Sequence, residues 1–282
     1  MAILRGLTRA GLGNVGDTAQ FLALASKYKF QSVDVDLNGL MTLAEGDIER
    51  AKDILSSHGL VVGSIGLPVQ WRTTDDEFRK GLPALVSNAA LARQLGGTAC
   101  CTYILPSTDD AAAPFMAAAI RRLRLCAQIL GAYGIRFGLE FVGPHHLRTR
   151  WKNPFIWTMQ ETLDLADSIG ESNVGLLLDS YHWYTNGLGK ADLTALRPDQ
   201  IVHVHANDAP NVPVEEALDN GRLITGEGVI DLVTFLGALK EIGYNGSVAQ
   251  EVLTQQPPQE PAEELVARTA KQYDRLFAAA GI

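Results

Sequence analysis

Four side chains of metal-binding type lie far apart in this chain, each at the end of an apolar run. They are Glu140 in GIRFGLEFV, Asp179 in NVGLLLDSYHW, His205 in IVHVHANDA and Glu251 in GSVAQEVL. Three carboxylates and one imidazole suit a divalent cation with mainly oxygen chemistry, and such a set tolerates Mn, Mg, Co or Zn. One such ion is the expected cofactor. Any one of the four could instead be a polar strand end solvated by its loop. Four on consecutive strands fit that account poorly, because charge this near a core is costly unless paired or metal-bound.

The four can meet only if the segments that carry them are neighbours. Apolar, strand-like runs recur along the chain at Leu4–Thr8, Ser32–Leu37, Leu60–Leu67, Thr98–Leu105, Ile135–Val142, Val174–Ser180, Ile201–Ala206 and Ser247–Leu253. Most are short and bounded by Gly, Pro, Asn or Asp, as buried parallel strands are. Between them, helical spacing runs over Asp17–Tyr28, Glu45–His58, Asp75–Gln94, Ala112–Tyr133, Ile156–Ser168, Ile230–Ile242 and Ala262–Ala279. Thr74 and Glu77 have capping-box spacing, and Gly59, Gly96, Gly134, Gly170 and Gly243 follow helices where a left-handed stop is wanted.

Eight strands alternating with helices predict an α/β fold, a (β/α)8 TIM barrel forming a single domain over residues 1–282. The competing fold is an open doubly wound sheet. It draws on Gly11, Gly13 and Gly16 in GLGNVG, with Asp34 and Asp36 where a ribose-binding acid would stand. The helix after GLGNVG starts at Asp17, beyond the last glycine, and a dinucleotide fingerprint needs it to open within the motif. Strand parity supports the barrel. Gly138 shares a face with Glu140, Leu177 with Asp179, Ile201 and His203 with His205, and Ala249 with Glu251. Each candidate ligand thus falls at the C-terminal rim, where this fold keeps its active sites.

The formal net charge of −8 gives nucleic acid no general attraction, and a small neutral or carbonyl-bearing substrate fits better. Cys100, Cys101 and Cys126 form no disulfide framework and read as reduced. No stretch reaches the roughly 20 apolar residues of a membrane span, and no signal peptide is visible. A cytoplasmic protein with no membrane partner is expected.

The segments LEFVGP, LLLDSYHWY, IVHVHANDAP, GRLITGEGVID and AQEVL resemble the xylose isomerase-like superfamily of sugar isomerases and epimerases. The likeness is to the D-tagatose 3-epimerase, hydroxypyruvate isomerase and inosose isomerase/dehydratase type of barrel. It implies that Glu140, Asp179, His205 and Glu251 hold one divalent metal, with Glu140 and Glu251 as the catalytic carboxylates. It also implies substrate-side roles for His182, Arg222, Asp208 and Asp34, the last where the family often carries a Glu. Two positions depart from the pattern. Ketohexose epimerases have a further Glu six residues after the fifth-strand ligand, where this chain has His146, and Thr225 replaces a turn proline. His146, in a polar loop, and Trp71, after the third strand, are further substrate-side candidates.

The activity implied is isomerisation or epimerisation of a sugar, keto-sugar or cyclic polyol ketone through a metal-stabilised enediolate. The partner is then a small sugar or polyol, with a homo-oligomer compatible with such barrels. Dehydration of a keto-polyol could use the same site. A phosphodiesterase of the endonuclease IV type would need more histidines than the six present, and a non-catalytic barrel would have no use for the ligand set.

Overall fold

The computed structural model describes residues 3–282. Met1 and Ala2, part of the expected 1–282 domain, lie outside the described residues. Strands form where the apolar runs predict them: β1 (Leu4–Leu7), β2 (Ser32–Val33), β3 in two halves (Val61–Val62 and Ile65–Gly66), β4 (Ala99–Ile104), β5 (Arg136–Phe141), β6 (Val174–Asp179), β7 (Ile201–Ala206) and β8 (Ser247–Gln250).

All pairings in this sheet are parallel. Strand β1 lies between β2 and β8, with Leu4 opposite Ser247 and Leu7 opposite Val33. An open doubly wound sheet does not join its first strand to its last, so the fold is the α/β barrel. The ring closes through β3. Its first half pairs with β2 and its second with β4, and the break falls at Gly63 and Ser64. Backbone bonds span the break: Gly63 N to Val33 O at 2.8 Å and Val35 N to Ser64 O at 3.2 Å. The result is a single-domain, nearly closed barrel wrapped by helices.

Helix ends follow local chemistry. Asp75–Gln94 begins behind Thr74, whose hydroxyl accepts from Glu77 N at 3.2 Å, and carries three acids in its first turn against the positive end of the helix dipole. It packs Phe78, Leu85, Ala89 and Ala92 on the ring. All five glycines expected as helix stops have positive φ. The GLGNVG segment is a loop of left-handed glycines. Its helix, Thr18–Lys27, opens behind Asp17, which forms a capping box with Gln20.

Some expected strands stop early. Ser32–Leu37 ends at Val33 because Asp36 accepts from Asn38 N and Gly39 N and caps a helix over Leu37–Leu43. Val174–Ser180 gives up Ser180 to a helix over Ser180–Thr185 that Asp179 caps. Strand β8 ends at Gln250, so Glu251 stands one residue beyond it, tied by its N–H to Ala206 O at 3.1 Å. A register irregularity between Ile201 and His203 breaks the expected parity for Ile201 but keeps His203 and His205 together. Among the described residues, no helix is long and apolar enough to cross a membrane. The three cysteines are free and buried.

Candidate metal centre

Four barrel strands deliver one ligand-type atom each to the C-terminal rim. These atoms of Glu140, Asp179, His205 and Glu251 lie within 4.8 Å of one another. Two ligands on opposite sides of a cation, each at about 2.4 Å, have that separation. His205 Nδ1 is 3.4 Å from Glu251 Oε2 and 3.8 Å from Glu140 Oε1. Both Nδ1 of His205 and Oε1 of Glu140 are buried without a hydrogen-bond partner. Buried polar atoms are seldom left so. Two orphans facing each other, beside two further carboxylates, fit a shared cation.

The tautomer needed for this is fixed from behind. His205 Nε2 sits 3.0 Å from Asp34 Oδ2, and His203 Nε2 sits 2.9 Å from the same oxygen. A carboxylate that holds one ring nitrogen as N–H leaves the other as a lone pair. Burial opposes ionisation of Asp34, yet His203 and His205 keep its carboxyl far below the usual range. Asp34, expected on the substrate side, is therefore engaged with the imidazoles through Oδ2, while its Oδ1 is buried and unpartnered.

Arg222 reaches into the same cluster. Its Nη1 donates to Asp179 Oδ2 at 2.9 Å and to Glu251 Oε2 at 3.0 Å, and its Nη2 donates to Asp219 Oδ1 at 2.7 Å. Two other acids that follow it in sequence, Glu227 and Asp231, are occupied elsewhere, by Arg268 and by a helix N-terminus. Asp179 is completely buried and takes further donors from Tyr181 N at 2.6 Å and Asn207 Nδ2 at 3.0 Å. Even with His205 protonated, Arg222 and that imidazolium are outnumbered by Glu140, Asp179, Glu251 and Asp219, so the cluster keeps an excess of carboxylate.

The two glutamates are driven apart electrostatically. Burial raises the pKa of Glu140, and Glu251 and Asp179 add to that against His205 and His182. Burial also acts on Glu251, but His205, Arg222 and His182 outweigh it and lower its pKa. For His205, burial opposes the charge, and Glu251, Asp34 and Glu140 override it and raise the pKa well above 6.5.

His182 lies in the wall of this cluster. Its Nε2 is 3.3 Å from Arg222 Nη2 and 3.9 Å from Glu140 Oε1, and its Nδ1 accepts from Gly143 N at 3.3 Å. Asp208 does not join it. That carboxylate is occupied by Ala209 N, Gly226 N and Ile230 N at 2.8–3.0 Å, which pins the turn after β7. The same turn uses Thr225, whose hydroxyl donates to Ala206 O at 3.0 Å, so the missing proline is local turn chemistry. His146 sits half-buried in a short helix, His145–Arg148, and burial lowers its pKa against the pull of Asp219. It is absent from the walls of the cavity at the centre. Trp71 is also displaced from that cavity. It is 1 % exposed, stacks on Phe115 and donates from Nε1 to Thr102 Oγ1 at 3.2 Å.

Sequence reasoning missed Asn207 and Asp219. Asp219, three residues before Arg222 in LDNGR, had a readable signal in that acid–base spacing. Asn207 had none, since its role depends on β7 bringing it beside Asp179 and on its Nδ2 donating to Glu251 O at 3.0 Å.

The molecule is thus a (β/α)8 barrel with a candidate divalent-metal centre at its C-terminal rim, open to a cavity of about 260 Å³. The xylose isomerase-like TIM barrel family matches residues 22–272, and the chain belongs to that family. It is similar to the structure of a xylose isomerase domain protein from Alicyclobacillus acidocaldarius, 34% identical over 100% of both chains with a TM-score of 0.92. It is 32% identical over 146 residues to an inosose isomerase of Bacillus velezensis, 52% of this chain and 49% of that one. It is 26% identical over 215 residues to an L-ribulose 3-epimerase of Methylomonas sp., 73% of this chain and 68% of that one. The chain spans about half the length of the inosose isomerases it matches.

Proposed function

We propose that the protein is a divalent-metal-dependent isomerase or epimerase of a sugar, keto-sugar or cyclic polyol ketone. The observation that carries this is the opposition of Glu140 and Glu251 across His205, with unpartnered ligand atoms between them. A polyol inosose and a ribulose are the substrates named for two of the relatives above, and a cavity of about 260 Å³ suits a molecule of that class.

Glu140, Asp179, His205 and Glu251 would hold the cation. When bound, it would polarise the substrate carbonyl, acidify the adjacent C–H and balance charge developing on oxygen. Glu251, whose pKa is lowered, is ionised at neutral pH and accepts the proton from carbon. Glu140, 3.8 Å from His205 Nδ1 on the other side of the centre, is the group that returns a proton to carbon. Arg222 keeps its charge throughout: burial opposes this, but Asp179, Asp219 and Glu251 hold its pKa well above the usual arginine value. It orients Glu251 and faces the growing negative charge. His182, between Arg222 and Glu140, offers Nε2 to a substrate hydroxyl.

The test is proton exchange. Metal-loaded protein incubated in D2O with a panel of ketoses and inososes should incorporate deuterium beside the carbonyl of one of them and yield its isomer. EDTA should stop both. Undiminished turnover in metal-free protein would sink the proposal, and loss of water from the substrate without an isomer would move the chemistry to dehydration.

A further inference from the structure

Arg72 differs from the other cations at this end of the barrel. Arg222 meets three carboxylates and Arg122 meets Asp75. Among the described residues, Arg72 joins no ion pair. Its guanidinium carbon lies 4.5 Å from the Trp71 ring and 3.9 Å from the Tyr103 ring. Its protein hydrogen bonds use only Nη2, to Thr102 Oγ1 at 3.3 Å and to the Tyr103 carbonyl. Nε is buried with no partner. Burial lowers its pKa only to about 10, so it remains a cation at neutral pH. Nη1 makes no hydrogen bond among the described residues, so this largely desolvated guanidinium keeps a donor for an incoming anion.

Its position gives that donor a use. Tyr103 is the register partner of Glu140 on the neighbouring strand. Thr102 and Tyr103 both line the cavity of the metal centre. The Tyr103 ring thus stands between Arg72 and the strand that carries Glu140. A second recess of about 210 Å³ opens beside Arg72, walled by Trp71, Phe115 and Trp151 as well. No other lysine or arginine lines this recess among the described residues. Its one acid, Asp109, is exposed and bonded to Lys152 N at 3.4 Å. A single planar guanidinium between aromatic walls matches one carboxylate, whereas a phosphate ester carries more charge than one cation balances.

We propose that this recess binds a carboxylate at the distal end of a polyhydroxy acid whose other end lies at the metal centre. This deepens the isomerase reading by naming an acidic substrate class, and rests on that reading only for which end reacts. Binding itself can be followed without turnover, because Trp71 and Trp151 report on the recess. The full-length protein would be titrated with D-gluconate, with neutral D-glucitol and with D-glucitol 6-phosphate, following tryptophan emission, once with Mg2+ and once with EDTA. Gluconate should bind at least tenfold more tightly than glucitol in both conditions. Arg72→Met should erase that preference while leaving glucitol binding intact. Arg72→Lys should keep only part of it and serves as the decisive variant if the methionine form does not fold. Equal binding of gluconate and glucitol, or a preference that survives in the variants, overturns the proposal, as does tighter binding of the phosphate ester. If the protein takes up none of Mn2+, Mg2+, Co2+ and Zn2+ yet discriminates through Arg72, the isomerase reading fails and the recess assignment stands. If it isomerises neutral sugars with no such discrimination, the reverse holds.

Discussion

Asp34, one residue beyond β2, grips His205 at the end of β7, Oδ2 to Nε2 at 3.0 Å, with β1 and β8 between their strands. The bond leaves Nδ1 aimed at Glu140 and Glu251. Replacing Asp34 with Asn frees the ring to reorient and weakens its basicity. Cation affinity should fall about 10–100-fold, read by competition against a fluorescent chelator. Unchanged affinity would remove Asp34 from the centre.

Arg222 should matter most when no cation is bound. Arg222→Met strips the completely buried Asp179 of a charged partner at 2.9 Å and Glu251 of one at 3.0 Å. The metal-free protein should lose about 3–5 kcal/mol of stability in denaturant titration, and loading with Mn2+ should restore a large part. Equal losses with and without the ion would mean that the guanidinium does not share its carboxylates with a cation.

The pH dependence has a defined sign. In the metal-free protein the folded pKa of His205 is raised well above 6.5. Its contribution is complete below about pH 6.5 and is lost as pH climbs through the raised folded value. Metal-free protein should therefore lose melting temperature toward alkaline pH, while the loaded form holds it. Loading must also displace the His205 proton, so affinity should drop as pH falls and binding should release protons. Calorimetry in two buffers of different ionisation enthalpy measures the release; zero release contradicts the assignment of His205.

Asp208 separates a turn role from a substrate role. Asp208→Ala leaves the Ala209, Gly226 and Ile230 amides short of an acceptor. Each costs about 1–3 kcal/mol if it stays buried and unmatched, so thermal stability should drop clearly. Cation affinity should stay within about twofold of the parent, since the carboxylate does not touch the centre. A selective loss of substrate affinity with normal stability would restore the resemblance-based role.

Much of this was legible in the chain. The β7 strand and the helices Asp75–Gln94 and Ala262–Ala279 have the bounds that apolar spacing predicts. The four rim residues converge because parity and strand order are sequence properties. What escaped depends on closure or on short segments. Asp34 meeting His205 requires the first strand to pair with the last. PHHLR and SYHWYT are too short for a 3.6-residue period to register, so their helices at His145–Arg148 and Ser180–Thr185 were invisible. The cap at Asp36 could have been read, since an Asp before Leu37 is a helix-start signal that the strand assignment overrode. The recess that Trp71 lines could not be read from the chain, because a loop's direction is set by what it packs on, here Phe115.

The break in β3 ties architecture to chemistry. A methyl group added at Gly63 would sit 2.6 Å from Asp34 Oδ1 and 3.4 Å from His203 Cε1. The stitch that shuts the cylinder and the carboxylate that braces His205 thus occupy one point. Evolution can lengthen the loops of such a scaffold freely, but at this joint any added bulk meets Asp34 and His203, so drift in the architecture here is also drift in the candidate centre.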